Sequence, residues 1–134
     1  MRKVMVFGVF DGVHEGHRHF FEEAKKFGDE LIAVVATDEV VEILKGKSPI
    51  NNLAKRVAHV EAEDGVDEAV VGDMEMGSWD IVKKIRPDVV AVGYDQKELK
   101  ENLESSLSDF DWQLEIKTVS AHKPRKYRSS LLNS

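Results

Sequence analysis

Residues 2–17 read Arg2-Lys-Val-Met-Val-Phe-Gly-Val-Phe-Asp-Gly-Val-His-Glu-Gly-His17, and this run decides how the whole chain is read. Its first part is apolar and β-branched, the composition of a strand buried on both faces of a parallel sheet. From Gly16 to Gly28 the spacing of apolar residues turns helical. Between strand and helix lies a turn that carries three glycines, Gly8, Gly12 and Gly16, and two histidines. Gly8 and Gly12 let the backbone approach a ligand closely, and the free amides that open a helix present partial positive charge to an anion. His14 and His17 stand three apart, so both imidazoles fall on one side of the first helical turn. Strand, glycine turn and helix start in that order make a phosphate site of the kind that holds a nucleotide. Zinc is the rival ligand for the histidines. Helical zinc pairs are more often four apart and need a further ligand, and the chain has no cysteine to supply one; no metal site is assigned.

The remaining apolar runs repeat the first. Strands are predicted over 4–7, 31–36, 68–71, 89–92 and 114–119, and helices over 17–27, 38–44, 52–63, 78–85 and 96–107. Such alternation predicts an α/β fold: a three-layer, doubly wound, Rossmann-like parallel sheet of about five strands, with its chemistry in the loops after the strands. The 134 residues suit a single domain over 1–134, with no internal repeat or flexible linker. A net charge of −6 and an isoelectric point near 5.4 argue against nucleic acid or a membrane surface as partner, since both require a basic face. The lack of cysteine and of a long apolar amino-terminal stretch gives the expectation of a cytoplasmic protein that acts on small molecules.

The run from Gly8 to His17 resembles the signature of the cytidylyltransferase-like nucleotidyltransferases, whose His-x-Gly-His element holds a nucleoside triphosphate during nucleotidyl transfer; Val9 stands where that family usually has Thr. The resemblance implies catalytic roles for His14 and His17, and nucleotide contacts from Val9, Phe10, Asp11 and Gly16, with Asp11 ordering the turn or helping to position a metal. In the loop Lys45-Gly-Lys-Ser-Pro49, two lysines flank loop-forming residues and can reach a triphosphate as point charges. The resemblance favours Lys45 for the α-phosphate, with Lys47 as the other match. Arg56, beside the apolar stripe of Leu53, Val57 and Val60, is similar to a family arginine directed at phosphate or at a partner subunit.

Gly93-Tyr-Asp-Gln96 follows the fourth apolar run, at the sheet edge where nucleotides bind. It is similar to archaeal-type FAD synthases, and implies base and ribose contacts from Gly93, Tyr94 and Asp95. Pro124-Arg-Lys-Tyr-Arg-Ser-Ser-Leu-Leu132 resembles the closing serine element of the family, assigning Arg128, Ser129 and Ser130 to the β- and γ-phosphates; Arg128 and Leu132 depart from its usual residues. The expected reaction is transfer of AMP from ATP to FMN, giving FAD and pyrophosphate, with Mg2+ carried by the nucleotide and a homodimer as the assembly. The alternatives are a glycerol-3-phosphate or sugar-phosphate cytidylyltransferase that uses CTP, and a catalytically silent nucleotide sensor. Trp79 and Trp112 are read as packing residues.

Overall fold

Alternation within each strand divides the core between two faces of one sheet, because successive side chains of an extended chain point to opposite sides. The computed structural model describes residues 2–75 and 77–120. Its strands are β1 (Lys3–Gly8), β2 (Glu30–Val35), β3 (Glu68–Val71), β4 (Val89–Gly93) and β5 (Glu115–Val119). They lie in the order β3-β2-β1-β4-β5, and every neighbouring pair is parallel. On one face Val4, Val6, Leu31, Ala33, Val89 and Ala91 pack together. On the other, Met5, Ile32, Val34, Val90 and Val92 do the same.

Helices cover both faces, as the alternating pattern predicts. Phe21 and Ala24 of α1 (Glu15–Lys25) and Val60 of α3 (Leu53–Glu61) close the first face. Val82 of α4 (Asp80–Ile85) and Leu103 of α5 (Lys97–Ser105) close the second. Full burial of a side chain of this size stabilises the fold by roughly 1.5–3 kcal/mol. The short helix α2 (Asp38–Lys45) buries Val40 and Val41 beyond the carboxyl end of β2. Among the described residues no helix is long and apolar enough to cross a membrane.

The helix boundaries move for local reasons. α1 begins at Glu15, ahead of the predicted 17, because His14 takes the N-cap position with extended backbone and accepts from the amide of Gly16. α3 begins at Leu53 because the side chain of Asn52 caps it, accepting from Lys55 at 3.0 Å. α5 stops at Ser105, and the chain continues as a 3-10 turn over Leu107–Asp109.

Arg56 departs furthest from expectation. The sequence reading gave it to a phosphate or a partner subunit, but its side chain is fully buried. Its guanidinium donates to the carbonyls of Asn51 (3.0 Å), Val9 (2.9 Å) and Ala36 (2.7 Å), and to the Asp38 carboxylate at 2.5 Å. The residue is a bracket that ties the ends of β1 and β2 and the start of α2 to α3. Its planar fork of donors suits four acceptors set around one plane, which a lysine could not serve. Arg56→Met should lower the unfolding free energy by about 3–5 kcal/mol, since it strands buried acceptors. In the same urea titration Lys47→Ala, on an exposed loop, should stay within about 0.5 kcal/mol of wild type.

Candidate active site

The carboxyl ends of the strands open into a cleft of about 1080 Å³, lined by the β1–α1 turn, the end of α2, the loops after β3 and β4, and the end of β5. The topology accounts for its place. From β1 the chain winds outward through β2 and β3, then returns to β4 on the other side of β1; crevices in open α/β sheets form where the strand order reverses in this way.

At the centre of the cleft the two histidines cap their own helix. Nδ1 of His14 accepts from the amide of Gly16 at 3.0 Å, and Nδ1 of His17 accepts from the amide of His14 at 3.3 Å. The rings stack, with centroids 4.0 Å apart and planes 22° from parallel. With Nδ1 accepting in each, a neutral ring carries its proton on Nε2. Both rings line the cleft, so the pair offers hydrogen-bond donors to an anion there. Gly16, in the lining of the cleft, also serves the pair. Its amide serves His14, and its missing side chain makes room for that ring, whose Cε1 would stand 3.0 Å from an added Cβ.

Phe10 supports the pair from below. It is buried and holds a positive φ of 54°. Its ring meets His17 edge-on at 5.3 Å and lies so close over Gly8 that a Cβ there would come within 2.5 Å. Phe10 is therefore a core ring that anchors the turn and also lines the cleft. Burial lowers the pKa of His17 from 6.5 to about 4; repulsion from His14 and Lys45 adds to this, while Asp95 and the Gly12 carbonyl oppose it.

Asp11, also in the lining of the cleft, braces the turn. Its carboxylate accepts from the amides of Ile50 (2.7 Å) and Asn51 (2.9 Å) and from the Asn51 side chain (3.0 Å). Those donors, Asn51 first, hold its carboxyl below the usual range. This is the turn-ordering role among those expected of Asp11. Val9 lines the cleft while its carbonyl is held by Arg56. Lys45 lines the cleft; Lys47 lies outside the lining. Gly93, Tyr94 and Asp95 reach it from the opposite side, and Tyr94 is 65% exposed. The structure thus gathers the histidine turn, Lys45 and the β4–α5 loop around one space. Arg128, Ser129 and Ser130 lie outside the described residues.

The cleft also contains residues to which the sequence reading gave no role. Trp79, read as packing, lines it edge-on to Phe7, with ring centroids 5.9 Å apart, and holds a positive φ of 57° at the start of α4. Asp73, also in the lining, supplies the cap that Trp79 cannot, accepting from the amide of Ile81 at 3.0 Å. Both follow the third strand, so the rule that ligands gather after strands reaches them; Trp79 is masked by being a good core residue as well. Among the described residues no group of three or more His, Asp or Glu side chains is arranged to hold a metal ion.

The low pKa of His17 has a direct test. An unfolded histidine titrates near 6.5, so between pH 6.5 and 4 the unfolded chain takes up a proton that the folded ring refuses. The contribution of His17 to stability is present above pH 6.5 and is lost as pH falls through that window. In an NMR titration the His17 ring signals should stay unchanged from pH 8 to 5 and move near pH 4.

A family model described as cytidylyltransferase-like matches residues 5–132. The chain is similar to an FAD synthase of Thermococcus sibiricus (46% identity over 94 residues, covering 70% of this chain and 64% of that one). An FAD synthase of Aciduliprofundum boonei is 41% identical over 133 residues, covering 99% of this chain and 85% of its own. Among solved structures, the lipopolysaccharide core biosynthesis protein from Thermoplasma volcanium GSS1 superposes with a TM-score of 0.82 at 36% identity, covering 91% of this chain and 98% of that one. With a match over nearly its whole length and a capped histidine pair at the strand-to-helix turn, this chain belongs to the cytidylyltransferase-like family.

Proposed function

We infer that the chain is an FMN adenylyltransferase, which transfers AMP from ATP to FMN and releases pyrophosphate. The observation that carries the reading is the histidine pair, two rings locked by mutual capping in the lining of a strand-end cleft. The similarity to archaeal FAD synthases at 41–46% identity supplies the substrates.

In this reading a phosphate oxygen of FMN attacks the α-phosphorus of ATP in line. The bond from that phosphorus to the bridging oxygen breaks, and pyrophosphate leaves with its magnesium. No covalent enzyme intermediate is required, so positioning and charge stabilisation carry the catalysis. His14 and His17 donate from Nε2 to oxygens on which negative charge grows. Lys45 neutralises the α-phosphate, and Gly93, Tyr94 and Asp95 meet the base and ribose. Ser129, Ser130 and Arg128 take the β- and γ-phosphates. Magnesium would be carried by the triphosphate, supplying charge neutralisation to the phosphate oxygens. The protein works as one domain, in the cytoplasm, as a homodimer.

Pyrophosphate release with magnesium, measured for ATP plus FMN beside CTP plus glycerol 3-phosphate with products identified by mass, tests the reading. FAD from the first pair alone is expected. CDP-glycerol from the second would overturn the acceptor, and nucleotide binding without turnover would make the chain a sensor. His17→Ala should lower kcat by about 10²–10³-fold, the usual loss for one donor to a developing oxyanion. A change of only a few-fold at saturating substrate would remove His17 from the chemistry.

A further inference from the structure

β1 and β4 share a ladder for only two residue pairs, Val4↔Val89 and Met5↔Val90. β1 and β2, by contrast, pair from Lys3↔Glu30 to Gly8↔Val35, and β4 and β5 pair from Val89↔Glu115 to Gly93↔Val119. Past Met5 and Val90 the two central strands therefore run on, as Val6–Gly8 and Ala91–Gly93, without joining each other, and the cleft opens in the gap. Continued in the same register, the ladder would bring the carbonyl of Phe7 to the amide of Gly93. Both are met by one side chain. Gln96 accepts from the amide of Gly93 at 2.8 Å through Oε1 and donates to the carbonyl of Phe7 at 2.8 Å through Nε2. The main-chain amide of Gln96 also donates to the carbonyl of Gly93 at 3.0 Å.

We propose that Gln96 is a positioning residue, a side-chain rung that fixes the gap between β1 and β4 and so holds the Gly93–Asp95 loop in register with the histidine turn. An amide is the chemistry this position demands, since it must accept on one side and donate on the other. Gln96 starts α5 but makes no cap bond with its side chain, so its side chain serves the gap and leaves its own helix uncapped. The two loops it spaces already feel each other, because Asp95 acts electrostatically on His17 across the cleft. The rung sets the distance over which the nucleotide must be held at both ends, and misplacement by about 1 Å can cost on the order of 10²-fold in rate.

This inference rests on the adenylyltransferase reading, and its test keeps the two apart. Gln96→Met preserves length and removes both hydrogen bonds. It should lower kcat for FAD formation by ~10–100-fold, with KM for ATP changed less, in protein shown to be folded by circular dichroism. Gln96→Glu supplies the second arm. As a carboxylate it still accepts from Gly93 but repels the Phe7 carbonyl, whereas the protonated acid reproduces the donor, so the ratio of variant to wild-type kcat should rise as pH falls from 8 to 5.5. A Gln96→Met enzyme within twofold of wild type, or a flat ratio for Gln96→Glu, overturns the proposal. Amide exchange decides it without turnover: the Gly93 amide should be protected in wild type and exchange at least ~10-fold faster in Gln96→Met. Unchanged exchange overturns the rung, whereas wild type that forms no FAD overturns the reading of function alone.

Discussion

A single buried cation organises the catalytic end of this molecule. The guanidinium of Arg56 meets carbonyls that belong to three separate segments, at Val9, Ala36 and Asn51, and one carboxylate, Asp38. Strand ends are where a parallel sheet loses its regular hydrogen bonding, so the carbonyls there need partners from elsewhere. A charge buried without such partners would cost several kcal/mol, so guanidinium and carbonyls each make the position of the other tolerable. The consequence for function is spatial. Val9 opens the histidine turn, Ala36 leads into α2 and so to Lys45, and Asn51 holds Asp11. One side chain outside the cleft thereby fixes three of its walls.

Within that frame the histidines are placed by local rules. Mutual capping consumes Nδ1 of each ring, which satisfies two of the amides a helix start leaves unpaired and decides which nitrogen faces the cleft. Ring orientation and helix capping are one arrangement here. Phe10 completes it by drying one side of His17, and its strained φ persists because its ring is locked between Gly8 and Phe21.

Much of this was legible in the sequence. The inner strands β2, β1 and β4 stood out because they are mostly buried and read as continuous apolar runs, while the edge strands β3 and β5 are partly exposed and less apolar; the doubly wound order followed from alternation with helices. The site location followed from the same topology. Individual roles were harder to read. Arg56 looks in sequence like any arginine at the edge of an apolar stripe, since the carbonyls that hold it lie 5, 20 and 47 residues away. Gly16 promised a free amide, and only the histidine two positions before it, folding back as a cap, changes that. Trp79 carried no signal beyond its place after a strand, because the same ring fills the core and faces the cleft.

The split between β1 and β4 shows why such details resist the sequence. A parallel sheet gains its stability from continuous ladders, and a gap between strands inside it leaves polar backbone without its ladder partners where the cleft opens. The fold needs that gap, because a fully zipped switch point would leave no crevice for a ligand. The structure resolves the conflict with a side chain that imitates the missing main chain, one amide of Gln96 standing in for a peptide group with its donor and acceptor in opposite directions. In sequence this appears as an ordinary polar residue at the start of a helix. Its meaning comes only from the register of two strands more than eighty residues apart, which no local pattern encodes.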